Sequence, residues 1–136
     1  MAPEFDKETA LEQVKENFLA GVKKRLMSDR EIGCFLSGGL DSSLVTALVA
    51  RERNPYSLNT FSIGMDRNAP DLKYAQKVAE HCKTTHHHVE FSFEDAIENI
   101  HDVIYQLESY DVTTIRASLG MFLLSKHVKS KTDVTV

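Results

Sequence analysis

Apolar residues recur every three or four positions over several stretches of the chain, and short apolar runs ended by glycine or proline separate these stretches. The helical spacing predicts helices over residues 6–27 and 42–53, from residue 70, from residue 92, and over residues 115–129. The short runs predict strands over residues 32–36, 58–63 and 85–91. Residues 132–136 have the pattern of an opening fourth strand, and residues 109–114 are expected to be irregular.

The caps and the inward faces of these helices follow from the same pattern. Asp6 is the expected N-cap of the first helix, and Ser92 with Asp95 resembles a capping box. The residues expected to face inward are Leu11, Val14, Phe18, Val22 and Leu26 in the first helix, Leu44, Val45, Leu48 and Val49 in the second, Leu72, Ala75, Val78 and Ala79 in the third, and Phe93, Ala96, Ile97, Ile100, Ile104 and Leu107 in the fourth.

Strands that alternate with helices predict an α/β fold, with a parallel sheet between two layers of helices. Such sheets bind ligands beyond the carboxyl ends of their strands. The length of 136 residues fits one domain, in which residues 6–28 form a helix ahead of the α/β core. One site is therefore expected, at the carboxyl edge of the sheet.

Composition narrows the classes of function. With 16 Lys and Arg against 20 Asp and Glu, the net charge of −4 provides no broad basic surface for nucleic acid. The apolar runs fall short of the ~20 residues that span a bilayer, so no membrane partner and a cytoplasmic location are expected. Cys34 and Cys82 show no metal-ligand spacing and are expected to be reduced, with Cys34 a small core residue.

Three consecutive histidines, His86 to His88, suggest a metal site at first sight. Adjacent side chains of a strand point to opposite faces, however, so the three do not converge on one ion. A partly exposed strand is the better interpretation.

The strongest chemical signal is the loop Ser37-Gly38-Gly39-Leu40-Asp41-Ser42-Ser43, which connects the first strand to its helix. Backbone N–H groups and the positive end of the helix dipole meet at such a point and bind phosphate. The glycines allow close approach, and the hydroxyls of Ser37, Ser42 and Ser43 add donors. The alternative is a loop that merely turns the chain.

Asp41 needs a separate explanation, because a carboxylate beside a phosphate is repelled unless a cation lies between them. It is therefore expected to hold Mg²⁺, either directly or through a bound water. The loop lacks the Lys-Ser/Thr ending of the Walker motif and is not a GxGxxG dinucleotide motif.

The loop resembles the pyrophosphate-binding loop of the ATP pyrophosphatase (PP-loop) superfamily, whose members adenylate a substrate and release pyrophosphate. Within that superfamily the chain resembles the asparagine synthetase family along nearly its whole length. The segments that carry this resemblance are 60–65, 70–72 and, most specifically, Glu108-Ser109-Tyr110-Asp111-Val112-Thr113-Thr114-Ile115-Arg116-Ala117-Ser118. The implied fold is the Rossmann-like fold of the adenine nucleotide alpha hydrolases, incomplete at the C-terminus.

The resemblance implies roles for particular residues. Leu36 and Ile63 would contact the adenosine of ATP, with Gly64 and Met65 adjoining, and the loop would hold pyrophosphate. Residues 111–118 would line the aspartate site, where Thr114 and Arg116 are the catalytic candidates together with Asp41. Two roles stay open for Arg116: neutralising a substrate carboxylate or a phosphate oxygen, or pairing with a nearby surface acid.

The implied reaction is asparagine synthesis from aspartate, ATP and ammonia, where ammonia comes from a glutaminase domain that this chain does not carry. The chain is therefore expected to be a partial synthetase domain, poorly active alone and marginally stable. Other ligases of the superfamily, for NAD, GMP, argininosuccinate or β-lactams, and a non-catalytic nucleotide-binding module remain as alternatives. A homodimer also stays open.

Overall fold

The computed structural model describes residues 6–66 and 69–136 and contains a three-stranded parallel sheet between helices. The strands are β1 (Gly33–Phe35), β2 (Asn59–Gly64) and β3 (Thr85–Glu90), in the spatial order β1-β2-β3. Gly33 is in register with Asn59, and Asn59 with Thr85. The predicted α/β class and the three strands are confirmed.

The helices are α1 (Lys7–Arg25), α2 (Leu40–Glu52), α3 (Pro70–Cys82), α4 (Phe93–Leu107) and α5 (Val112–Lys131), with a short 3-10 turn at Pro55–Ser57. Asp6 caps α1 by accepting from the N–H groups of Glu8 and Thr9. The capping box is present at α4, where the Ser92 hydroxyl and the Asp95 carboxylate each accept from the other's backbone N–H. Pro70 occupies the first turn of α3, where its missing N–H costs nothing.

Two layers of helices cover the sheet. Helix α3 packs on one face through Ala75 and Ala79 against Leu36, and α2 lies beside it with Val49 and Ala50 in a cluster with Cys34 and Val22 of α1. The opposite face holds a cluster of Phe61, Val89, Leu124 and Val128, which places α5 there. Helix α4 lies against α5, where Lys126 donates to the Asn99 side chain at 2.8 Å.

Several predicted inward positions are wrong. Of the stripe on α1 only Val22 is buried, whereas Leu11 and Val14 are 58% and 66% exposed. On α2 the buried residues are Thr46, Val49 and Ala50, and Leu44 is 47% exposed. The pattern identified the helices correctly, but only the part of each stripe that meets the sheet or a neighbouring helix is buried.

The face of α4 differs in the same way. Ala96 and Val103 are buried, while three residues expected to face inward are exposed: Phe93, Ile97 and Ile100. Helix α4 packs mainly on α5, so a single neighbouring helix leaves part of its wide apolar face uncovered.

Two boundaries also differ from the sequence expectation. Helix α5 begins at Val112, so residues 112–114, expected to be irregular, form its first turn. Residues 132–136 form an isolated parallel bridge between Ile32 and Thr135 in place of a strand. In that bridge the Gly33 N–H donates to the Thr135 carbonyl at 2.7 Å, and the Thr135 N–H donates to the Glu31 carbonyl at 2.8 Å.

Both cysteines are free, and burial raises the pKa of the Cys34 thiol, as suits the small core residue that was expected. Within the described residues, no helix combines the length and apolar character needed to cross a membrane. The same part of the chain contains no group of three or more His, Cys, Asp or Glu side chains placed to hold a metal ion. The three histidines lie in a partly exposed strand, as predicted.

Candidate functional site

The loop of residues 37–43 leaves the sheet at the carboxyl end of β1 and becomes the first turn of α2. Leu36, at 1% exposure, anchors its start, and the Leu36 N–H donates to the Phe61 carbonyl at 2.8 Å. The loop therefore begins from a fixed point in the core, and only its later residues reach the surface.

Gly38 sets the path of the loop. Its φ of +83° is a conformation that L side chains rarely adopt, and a Cβ there would lie 2.5 Å from the Asp71 carbonyl oxygen and 2.7 Å from the Ala75 nitrogen. The loop therefore rests directly on the backbone of the first turns of α3. Residues that follow β2 thus shape a loop that follows β1.

The start of α2 presents free backbone donors. Gly39 is its N-cap and provides no side-chain hydrogen bond. The N–H groups of Leu40, Asp41 and Ser42 belong to the first turn, which has no intrahelical acceptor for them. Together with the helix dipole they form an anion-binding surface.

The serine hydroxyls expected to bind phosphate are engaged within the loop. Ser43 Oγ donates to the Gly39 carbonyl at 2.6 Å, and Ser42 Oγ lies 3.2 Å from the same oxygen. Ser42 Oγ also accepts from the Ser37 N–H at 3.3 Å and lies 3.0 Å from Ser37 Oγ. A phosphate would have to compete with Gly39 O for these protons, so the backbone N–H groups are the more available donors.

Asp41 lies exposed in the first turn of α2 and forms no ion pair with another described residue. Its carboxylate is a hard oxygen ligand of the kind that Mg²⁺ prefers, and Mg²⁺ usually takes few protein ligands besides phosphate oxygens and water. The residues present therefore fit a magnesium ion held jointly by Asp41 and a bound phosphate. They do not fit one held by protein alone.

The residues expected at the adenosine lie at the neighbouring strand end. Ile63 and Gly64 close β2, Ile63 is partly buried, and Met65 follows with 58% exposure. Because β1 and β2 are parallel neighbours, the loop and the end of β2 open onto the same edge of the sheet.

Helix α5 brings the remaining candidates to that edge. A Cβ on Gly120 would lie 3.9 Å from Ile63, near the end of β2, while Leu124 and Val128 pack with Phe61 further back. Helix α5 therefore runs antiparallel to the strands, and its first turns extend past the sheet. At about 1.5 Å per residue, Arg116 and Thr114 lie about 6 Å and 9 Å beyond Gly120 along the axis.

Arg116 is exposed and lies four residues before Gly120, on the same side of α5. Among residues 6–66 and 69–136 it forms no ion pair, so the surface pairing considered from the sequence is not seen. Its guanidinium is available to a ligand at the carboxyl edge.

Thr114 is held by Asp111, which the sequence analysis places in the segment lining the aspartate site but does not identify as a helix cap. Asp111 is the N-cap of α5, and its Oδ2 accepts from both the Thr114 N–H and the Thr114 hydroxyl at 2.7 Å. These hydrogen bonds, led by the one from the Thr114 side chain, lower the pKa of Asp111. The signal was present in the sequence as an Asp followed three residues later by a Thr, ahead of an apolar run.

The sequence model of the asparagine synthase family matches residues 13–136. The chain is 51% identical over 136 residues to the asparagine synthetase [glutamine-hydrolyzing] of Gallus gallus, and 48% identical over 138 residues to that of Homo sapiens. These alignments cover 97% and 98% of the chain and 24% of each relative. The chain thus spans about a quarter of the length of the curated relatives it matches.

Among solved structures, an NH3-dependent NAD synthetase from Campylobacter jejuni, in complex with the nitrate ion, superposes with a TM-score of 0.58 at 19% sequence identity. The superposition covers 90% of this chain and 53% of the synthetase. At this identity the similarity shows a shared fold, in agreement with the predicted α/β class.

Proposed function

The chain belongs to the asparagine synthase family, and on that premise we propose that it is the ATP-binding part of an enzyme that adenylates aspartate for asparagine synthesis. The observation that carries the proposal is the loop of residues 37–43, whose helix start lacks a side-chain cap and which lies at the same edge of the sheet as the first turns of α5. The proposed partners are ATP, Mg²⁺, aspartate and ammonia, the last formed by glutamine hydrolysis outside residues 1–136.

In the proposed reaction, a carboxylate oxygen of aspartate attacks the α-phosphorus of ATP, and the bond from that phosphorus to the bridging oxygen of the β-phosphate breaks. Pyrophosphate leaves with the electron pair, and the product is an acyl-adenylate. Ammonia then attacks the acyl carbon, so that the amide forms, AMP leaves and the nitrogen gives up a proton.

The residues of this chain would bind and orient the reactants. The N–H groups of Leu40, Asp41 and Ser42 would hold the departing pyrophosphate, because their dipoles favour charge that grows during the step. Arg116 would pair with the aspartate carboxylate or an α-phosphate oxygen. Ile63, partly buried at the end of β2, would provide apolar surface for adenosine, whereas Leu36, at 1% exposure, would contact adenosine through its backbone.

Thr114, whose hydroxyl donates to Asp111, would offer the aspartate site only the acceptor side of its oxygen. Asp41 would share a magnesium ion with the phosphates. When bound, Mg²⁺ neutralises phosphate charge and withdraws electrons from the scissile bond.

Titration calorimetry with an Asp41→Asn variant tests the nucleotide site through ATP affinity, which is expected to change in opposite directions with and without magnesium. With magnesium present, the variant is expected to bind ATP about five- to tenfold more weakly, since it loses a cation ligand. Without magnesium it should bind ATP more tightly than the original chain, because a negative charge next to the phosphates has been removed.

The control is Asp102→Asn on α4, which removes an exposed carboxylate from an element outside the loop, the end of β2 and α5. Equal affinities of all three proteins, with and without magnesium, would rule out Asp41 as a phosphate neighbour. Incorporation of labelled pyrophosphate into ATP that depends on aspartate, and not on the acid substrates of the sister ligases, would identify the adenylated substrate. Retained ATP binding without exchange would leave a nucleotide-binding module.

A further inference from the structure

A pocket lined mainly by polar residues lies on the α3 face of the sheet, between α3 and β3. It has a volume of about 670 Å³ and is lined by Ser62, Leu72, Lys73, Gln76, Lys77, Glu80, His86 and His88. None of the loop residues 37–43 lines it. Helix α3 packs over Leu36 and also contacts β3, and the pocket lies open between these two elements.

The floor of the pocket is a hydrogen-bonded set of hydroxyls and imidazoles. Ser62, at 3% exposure, lies with its Oγ 3.1 Å from His86 Nε2 and 3.3 Å from His88 Nδ1. Thr60, fully buried, lies 2.9 Å from His86 Nδ1. Both nitrogens of His86 are therefore engaged, and His88 makes no other hydrogen bond within the described residues. Among these described residues, the second ring nitrogen of His88, Nε2, has no hydrogen-bond partner.

The wall of the pocket on α3 is rich in cations. Lys73 and Lys77 lie one helical turn apart, where like charges repel, and within the described part of the chain neither forms an ion pair. Lys77 Nζ lies over the Tyr74 ring, 5.7 Å from its centre, and would exchange this contact for a bound anion. Glu80, the acid of this wall, accepts a hydrogen bond from the Gln76 side chain at 2.9 Å. The chain as a whole has a net charge of −4, whereas this wall carries two lysines and one glutamate.

We propose that this pocket binds a phosphate group carried by a small organic molecule, with Lys73, Lys77 and His88 as its direct partners. The two ammonium groups come from α3 and the imidazole from β3, so donors on two sides of the pocket are available to the oxygens of a phosphate. The volume lies within the range of about 300–1,000 Å³ typical of small-molecule sites and exceeds what a bare phosphate fills. Leu72 provides an apolar surface for the organic part. The site shares no residue with the nucleotide loop of residues 37–43.

Binding at this pocket should be visible at the histidines. The pKa of His86 is lowered, first by burial and then by the charges of His88 and His87, so a bound anion should move it upward. The charged and titratable groups around the pocket are Lys73, Lys77 and Glu80 from α3, and His88 from β3. His87 lies on the opposite face, stacked on Phe61 at 5.1 Å, and β2 contributes only the hydroxyls of Thr60 and Ser62.

The experiment follows the imidazole and backbone amide signals of the isotope-labelled chain by NMR during titration with inorganic phosphate, glycerol 3-phosphate and succinate. The expected result is saturable movement of the His86 and His88 signals with both phosphates, tighter for the ester, and an upward shift of the His86 titration midpoint. Equal affinity for the ester and for inorganic phosphate would overturn the organic part of the proposal. Equal binding of succinate would overturn the preference for phosphate.

The variant K73Q/K77Q should bind the ester at least tenfold more weakly, while K129Q on α5, across the sheet, should bind as the original chain does. Both lysines are exposed and, among the described residues, outside any ion pair, so the fold is expected to persist, which circular dichroism checks. Unmoved histidine signals, or equal binding by the double variant, would sink the proposal. Movement of the amides of residues 38–43 reports the nucleotide loop separately, so each site can fail without the other.

Discussion

At the scale of single residues, the nucleotide loop depends on one backbone conformation and on few side chains. Its serines mainly hold the loop together, through hydrogen bonds to Gly39 and to each other. Gly38 alone has both a positive φ and backbone atoms of another element within 3 Å of a would-be Cβ. The shape of the loop is therefore more sensitive to Gly38 than to any one hydroxyl.

Replacing Gly38 with alanine should both destabilise the fold and abolish nucleotide binding. The left-handed conformation costs an L residue about 1–2 kcal/mol, and the clash with the Asp71 carbonyl oxygen adds to this. Gly39→Ala is the matched control, because its Cβ would lie 3.4 Å from Ser37 Oγ, with no backbone clash. Urea unfolding measures both variants, and equal losses of stability would contradict the contact with α3.

At the scale of elements, the helices differ in how much of their apolar surface is covered. On α1, Val14 and Val22 belong to the same stripe, yet Val14 is 66% exposed and Val22 is 9% exposed. Helix α1 meets the rest of the molecule mainly at its C-terminal end, where Val22 packs with Val49 and Lys23 pairs with Glu52 at 3.3 Å.

Truncating these two valines to alanine should separate the covered part of α1 from the uncovered part. Val22→Ala should lower the free energy of unfolding by about 1.5 kcal/mol, from about 0.8 kcal/mol for each buried methylene or methyl group lost. Val14→Ala should change it by less than about 0.5 kcal/mol, since little contact is lost and alanine favours helix. Similar losses for the two variants in urea titrations would mean that the whole stripe is buried.

The elements also show how far the sequence could predict this structure. Periodicity and caps located α1, α3, α4 and the strands, because those signals are local. The predicted start of α5 is wrong, because the β-branched residues Val112, Thr113 and Thr114 have low helix propensity. The helix nevertheless begins at Val112, because Asp111 caps it. Which apolar residues are covered was not predictable, because burial depends on neighbours that periodicity does not identify.

The sequence predicts which segments form the candidate site, but it predicts only part of how they lie relative to one another. A glycine-rich loop after a buried strand fixed the position of residues 37–43, and the parallel sheet fixed the end of β2 beside it. The contact of α3 with the loop and the extension of α5 past the sheet depend on tertiary packing. No local pattern encodes the 2.5 Å approach of Gly38 to Asp71 or the length by which α5 overhangs β2.

At the scale of the whole molecule, the buried polar side chains of the described residues lie on one face of the sheet, beside apolar clusters, while the core on the other face is apolar. Thr46, Thr60 and Ser62 lie on the α2 and α3 side, whereas Phe61 and Val89 lie under α5. His86 belongs to the polar side, and the neutral form of its ring is the one that burial favours. The stability of the molecule is therefore linked to pH through this residue.

Stability should fall in two separate stages as the pH is lowered. The folded pKa of His86 lies below its ordinary 6.5, so the unfolded chain takes up the proton first and is favoured as the pH drops below 6.5. The carboxylates of Asp6, Asp95 and Asp111 have pKa values below 3.8, so the stability they contribute is lost only at still lower pH.

His86→Gln should remove the first stage and leave the second, while His101→Gln, exposed on α4, should leave both. Urea midpoints measured at intervals between pH 7.5 and 3 test this, with the slope below pH 6.5 as the readout. An unchanged slope in His86→Gln would assign the first stage to another group.

The seating of Gly38 on α3 makes the binding loop and that helix a single thermodynamic unit. A ligand that stabilises the conformation of the loop also stabilises the packing of α3 against it. The coupling is reciprocal, so a change that destabilises this packing lowers the affinity of the loop for its ligand. Amide hydrogens of residues 71–75 should therefore exchange more slowly when nucleotide is bound, although the proposal places none of those residues in contact with it. Substitutions in α3 at positions without contact to the nucleotide can therefore change the affinity of the loop for it.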